Sequence, residues 1–214
     1  MKTTILIVRH GQSEGNTAGV FSGHSGFPLT ALGHEQAERT AEFIKGNYHV
    51  DAVYSSDLSR AFQTAEHTAR AFGLSVTTCA CFREINAGCW ECKSYDDLPN
   101  LFPRDYGIWL ADVGNARCTG GESVMEVADR VFDGIVAIAR AHEGQCVMIA
   151  THATPLRVAL WKAAGSPCSA MQQVSWGSNC AVSELEYDDG KLTAIRVNYT
   201  EHLVGCETFL PANV

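Results

Sequence analysis

The chain has 214 residues, 46% hydrophobic and 19% charged, a balance that supports one domain with a substantial core over 1–214. A net charge of −8 argues against nucleic acid as a partner, although a few convergent cations in a cleft still suit an anionic substrate. No run approaches the ~20 apolar residues that span a bilayer, and "MKTTILIVRH" reaches Arg9 too soon for a secretory leader, so the cytoplasm is the expected location.

Residues 5–8, ILIV, form an unbroken apolar run, as in a strand buried on both faces. A loop rich in Gly, Ser and Asn follows. Thr30 is placed to cap a helix over 31–44 with Leu32, Ala37, Ala41 and Ile44 on its inner face. DAVYSS at 51–56 gives a second strand, after which Leu58, Ala61, Phe62, Ala65, Ala69 and Phe72 recur at helical spacing. The stretch 92–119 is irregular, carries two prolines and shows Tyr95, Tyr106 and Trp109 to solvent in this reading. It is expected to be a small lid-like insertion outside the sheet. Ser123 and Glu126 form a capping box ahead of a stripe of Val124, Val127, Val131, Ile135 and Ile138. CVMIA at 146–150 is a further buried strand, followed by a helix closed at Gly165. AVSELEY and LTAIRVNY, joined through an Asp-Gly turn, form a hairpin. Strand and helix alternate to residue 165, which predicts an α/β three-layer sandwich, a mostly parallel sheet with helices on both faces.

The nine cysteines include Cys79, Cys81, Cys89 and Cys92 close together. Only Cys89 and Cys92 have the knuckle spacing of a zinc site, so free, reduced thiols are the expectation and no metal is assigned.

Three of these strands end on residues suited to a phosphate: Arg9 and His10, then Ser55 and Ser56 with Arg60 just beyond, then Thr151 and His152. Open α/β sheets bind ligands outside the carboxyl ends of their strands, so these distant segments are expected at one edge. Arginine forks match phosphoryl oxygens and offset developing charge. A neutral histidine can attack phosphorus when its other ring nitrogen is fixed by a hydrogen bond. Gly11 is expected to turn the backbone away from the face of His10. A leaving alkoxide needs a proton, for which Glu84 is the candidate, provided burial or the arriving phosphate raises its pKa. Asp57 and Glu91 are the other carboxylates in play, Asp57 more simply serving a helix start. Asn16 is either a phosphate ligand or a turn former. Trp90 and Trp109 are assigned to packing, and Ser22 and Gly23 are weak candidates for the pocket.

"RHGQSEGN" resembles the R-H-G-[EQ]-[ST]-x-x-N signature of the histidine phosphatase superfamily, the phosphoglycerate-mutase-like proteins. The likeness continues through "PLTALGHEQA", "VYSSDLSRAFQTA", "FREINAGCWE", "GGESVMEVADRV", "VMIATHATPLR" and "NYTEHL". The resemblance implies a phosphohistidine on His10, with Arg9, Arg60 and His152 completing the phosphate pocket and Asn16 assisting. It implies Glu84 as general acid and then base, and neither metal nor cofactor. Two departures stand out: Ala153 replaces the glycine usual after the second histidine, and Cys92 interrupts G-x-W-E-G.

The expected activity is hydrolysis of a small phosphorylated metabolite. A phosphoglycerate mutase is the rival, disfavoured because such mutases usually read E-R-H-Y-G around the acid, where this chain has "REINAGCWE". A non-catalytic phosphate-binding module is the third reading. Sugar phosphates, phosphoglycolate, a bisphosphoglycerate and the nucleotide-loop precursor of cobalamin all stay open as substrates. A homodimer is the one assembly kept open, with neither nucleic acid nor membrane as a partner.

Overall fold

The computed structural model describes residues 1–208. Its centre is a six-stranded sheet, β1 Thr3–Arg9, β2 Ala52–Ser55, β3 Val76–Thr78, β4 Cys146–Thr151, β5 Val182–Asp188 and β6 Lys191–Tyr199, ordered β3-β2-β4-β1-β5-β6. The first four run parallel; β5 and β6 add an antiparallel edge. The hairpin joining them turns through Asp189 and Gly190, both at positive φ, as a two-residue turn matched to strand twist requires.

Among the described residues, seven α-helices accompany the sheet: α1 Glu14–Thr17, α2 Ala31–Asn47, α3 Ser59–Phe72, α4 Leu98–Leu101, α5 Pro103–Ala111, α6 Val124–Ala141 and α7 Ala153–Ala164. Alternation along the central strands sorts the core in two. Ile5, Ile7, Val147 and Ile149 pack with Val131 and Ile135 of α6 and Leu156 of α7. Leu6, Val8, Met148 and Ala150 pack with Ile44 of α2 and with Ala65 and Ala69 of α3. A strand buried on both faces has no polar side to present, which is why its sequence is uniformly apolar.

Local signals set the helix boundaries. Thr30 accepts a hydrogen bond from Gly33 N at the start of α2, and Ser123 and Glu126 close a reciprocal cap on α6. Gly165 ends α7 in the left-handed conformation. Gly11 is required for a reason different from the expected one. A Cβ at Gly11 would strike the carbonyl of Gly33, and a Cβ at Gly33 would strike that of Gln12. Two glycines 22 positions apart let the loop after β1 lie directly on the start of α2.

The segment 92–119 lies outside the sheet, but its aromatic rings do not face solvent. Tyr106 and Trp109 are 1% and 3% exposed, buried with Phe21 and Trp90. Spaced three apart on α5, they present one face of the helix to that cluster. One pair of cysteines departs from expectation, Cys79 and Cys81 being joined as a disulfide, while Cys89 and Cys92 are the free thiols expected, both exposed. Among the described residues, no helix is long and apolar enough to cross a membrane.

Candidate active site

Parallel register brings the carboxyl ends of β1, β2 and β4 to one level, with Arg9 opposite Thr151 and Ser55 opposite Ala150. Backbone bonds extend the ladder past the strands. His10 N donates to Thr151 O at 2.8 Å, and Ser56 N donates to Ala150 O at 3.0 Å. Arg60 then enters from the first turn of α3, and His152 caps α7.

His10 is 3% exposed and its tautomer follows from its partners. Nδ1 lies 2.7 Å from Gly11 O, an acceptor only, so Nδ1 carries the proton and donates it. Nε2 is left with a lone pair, which accepts from Arg60 Nε at 3.2 Å. Burial, reinforced by the charges of Arg60 and Arg9, holds the imidazole well below its ordinary pKa. The ring is therefore neutral at physiological pH. His152 is fully buried beside it, ring centroids 5.2 Å apart, and is lowered in the same way by burial and Arg60. Its Nε2 lies 2.9 Å from Ser56 Oγ. It does not itself line the cavity wall.

Among the described residues, the two guanidinium groups are anchored without carboxylate partners. Arg9 Nη1 donates to Gly177 O at 2.5 Å; Arg60 Nη1 and Nη2 donate to Ser25 O and Gly23 O at 2.9 and 2.8 Å. Burial pushes Arg60 down to about 10, so it stays charged at neutral pH. Glu91 supports that loop from below, accepting from His24 N at 2.8 Å and from Ser25 Oγ at 2.6 Å. It is thus engaged as a loop clamp. Asp57 pairs with Arg83 at 2.7 Å, and Leu58 rather than Asp57 occupies the cap of α3.

Glu84 is 9% exposed and lines the cavity. Its Oε1 accepts from Ile85 N at 2.8 Å and its Oε2 from Ala153 N at 3.1 Å. Thr154 N approaches Oε1 at 3.3 Å, so the carboxyl group lies at the start of α7, where exposed N–H groups attract negative charge. Asn16 serves two ends: its Oδ1 accepts from Ser13 N at 3.0 Å in the cap of α1 and from Asn179 Nδ2 at 3.2 Å, and the residue lines the cavity.

The cavity, about 130 Å³, is bounded by Arg9, His10, Arg60, Asn16 and Glu84 below. Phe21, Tyr95, Trp109 and Trp176 form its walls, with Ser22, Gly23, Asn179 and Thr208 at the margin. Trp109, assigned to packing from the sequence, is both a core residue and part of this wall. Asn179 and Trp176 were not anticipated. A signal for them existed: β5 runs antiparallel to β1 and begins opposite Val8, so the residues just before it lie at the same sheet edge as Arg9. Five buried polar side-chain atoms lack a partner among the described residues; two of them, Arg9 Nε and Ser22 Oγ, belong to residues lining this cavity, and a third, His152 Nδ1, is on the ring packed against His10. Buried polar atoms are normally satisfied, so this concentration marks a place for a polar ligand.

Two buried cations, a neutral imidazole with a directed lone pair and one carboxyl group define a phosphoryl-handling site at the edge of an α/β sheet. The sequence profile of the histidine phosphatase superfamily (branch 1) matches residues 5–200, and the chain belongs to that family, as one of its phosphatases. It is 28% identical over 200 residues to phosphoserine phosphatase 1 of Hydrogenobacter thermophilus, with 93% of each chain covered. It is 29% identical over 194 residues to the protein named "Probable phosphoglycerate mutase GpmB" of Salmonella choleraesuis, covering 89% of this chain and 87% of that one. The solved structure of Bacillus stearothermophilus YhfR superposes with a TM-score of 0.89 at 24% identity, over 94% of this chain and 99% of that one, and shares the fold.

Proposed function

We propose that the protein is a metal-independent phosphomonoesterase acting on a small phosphorylated metabolite in the cytoplasm, with His10 as nucleophile. The observation that carries this reading is the fixed tautomer: Nδ1–H is committed to Gly11 O, and the Nε2 lone pair points to where two guanidinium groups converge. Phosphate oxygens take up the Arg60 donor, which frees Nε2 for in-line attack. A P–N bond forms as the P–O ester bond breaks, and Glu84, having taken the proton of the arriving monoanionic ester, passes it to the departing oxygen. Water then attacks the phosphohistidine and loses a proton to Glu84. Inorganic phosphate takes that proton as it leaves, and both residues return to their starting states. Arg9, Arg60 and Asn16 bind the phosphoryl group throughout, and His152, packed against His10 with an unpartnered Nδ1, completes the pocket from behind. No step uses a metal, because the guanidinium pair supplies the positive charge.

Rapid alkaline quench with phosphoryl-labelled substrate tests this. Acid-labile, base-stable label is expected on the wild-type chain and not on His10→Ala, which loses about 10⁴-fold or more in kcat. Full activity in His10→Ala overturns the reading. Phosphate release is expected to outpace isomerisation of phosphoglycerate many-fold; the reverse result makes the chain a mutase.

A further inference from the structure

The phosphate takes the floor of the cavity, so the alcohol it is joined to must rest against the walls. Those walls are mostly aromatic and already rigid. Phe21 meets Trp109 edge to face at 5.3 Å and Tyr95 at 5.7 Å between centroids. Trp109 stacks on Trp176 at 5.7 Å with 19° between planes, and Trp90 backs Trp109 at 5.9 Å. Arg157 lies 4.0 Å above the Trp176 ring centroid, and its nitrogens donate to Met171 O and Gln172 O. A ligand ring docking here meets side chains that need little further ordering.

Charge is as telling as shape. Among the described residues lining the cavity, Arg9 and Arg60 are the only cations, and the phosphoryl group claims both. The one ionisable acid is Glu84. Gln12, Asn179, Thr154 and Thr208 add neutral polar groups. Burial raises the Tyr95 phenol to about 12, so it too is neutral at working pH. A carboxylate or second phosphate on the alcohol would leave water with no cation to meet it, which costs more than the loss of an apolar contact.

We infer that this site selects phosphomonoesters whose released alcohol is neutral and carries a flat apolar ring, and that Trp109, Trp176 and Tyr95 are the residues that select it. The inference rests on the hydrolytic reading above and narrows it. It separates this chain from enzymes built for phosphoglycerates or phosphoserine, whose alcohols carry charge.

Four esters of primary alcohols test it with the full chain: benzyl phosphate, glycerol 3-phosphate, 3-phosphoglycerate and phosphoserine. None has an activated leaving group, so differences report the walls. The expected kcat/KM for benzyl phosphate exceeds that for 3-phosphoglycerate and for phosphoserine by about tenfold or more, with glycerol 3-phosphate between them. Trp176→Leu, at a half-buried position, reduces that preference about fivefold through KM. Thr208→Lys, which adds a cation at the margin, reduces it by raising kcat/KM for 3-phosphoglycerate, and this arm stands even if the tryptophan variant fails to fold. Equal or better turnover of 3-phosphoglycerate or phosphoserine by the wild type overturns the inference, as does a preference that neither variant moves. Release of phosphate from none of the four refutes the hydrolytic reading instead, which keeps the two failures distinct.

Discussion

The floor and the walls of the cavity are built by opposite means. The floor takes Arg9 and His10 from the end of β1, Arg60 from α3, Asn16 from α1 and Glu84 from a loop, each held in place by directional hydrogen bonds. The walls come from loops and from α5, and hold their shape by packing ring on ring. Directional bonds suit a task that needs an atom placed to a fraction of an ångström, whereas packing suits a surface that only has to present a shape.

Substitutions on the two sides should therefore fail differently. The largest effect is expected from Arg60→Ala on the floor: kcat falls about 10³-fold for every phosphomonoester alike, measured by phosphate release. An effect confined to one substrate would break the contrast. Next comes the wall. Trp90 is fully buried and donates to Thr119 Oγ1 at 3.1 Å, so Trp90→Ala costs about 3–5 kcal/mol in a urea titration. Its folded fraction should still form phosphohistidine. Glu84→Gln is expected to slow esters of alkyl alcohols by about 10²-fold and nitrophenyl phosphate far less, because a good leaving group needs no proton. A uniform loss across leaving groups would assign Glu84 to binding instead.

The smallest effect is on stability against pH. His10 and His152 are held neutral by burial and by the nearby arginines, below the ordinary 6.5. Their unfolded forms bind protons more readily, so this contribution is complete above about pH 6.5 and is lost as the pH falls below it. His67 and His202, also lowered by burial, act with the same sign. The urea midpoint should drop between about pH 7.5 and about pH 5.5. A midpoint that stays level or rises would contradict the neutral assignment.

The same division explains what the sequence disclosed. Arg9, His10, Arg60 and His152 were legible because each follows a short apolar run or starts the helix after one, and strand ends in such sheets share an edge. Glu84 was legible mainly through the resemblance, since nothing in its loop's spacing announces that α7 will supply its N–H partners. The walls were illegible for a physical reason. Tyr106 and Trp109 lie in a segment without long-range periodicity, and contacts with residues from other segments, Phe21 and Trp90 among them, bury them. Gly11 was recognised, yet its partner Gly33 was not, because a close approach of two backbones leaves no pattern in either segment alone.

The bond from Arg60 Nε to His10 Nε2 has a consequence for the resting protein. An imidazole whose spare electron pair is already engaged is a poor target for stray acylating or alkylating reagents. Only a visitor that draws the guanidinium toward itself uncovers that pair, so the same group serves as safety catch and as trigger.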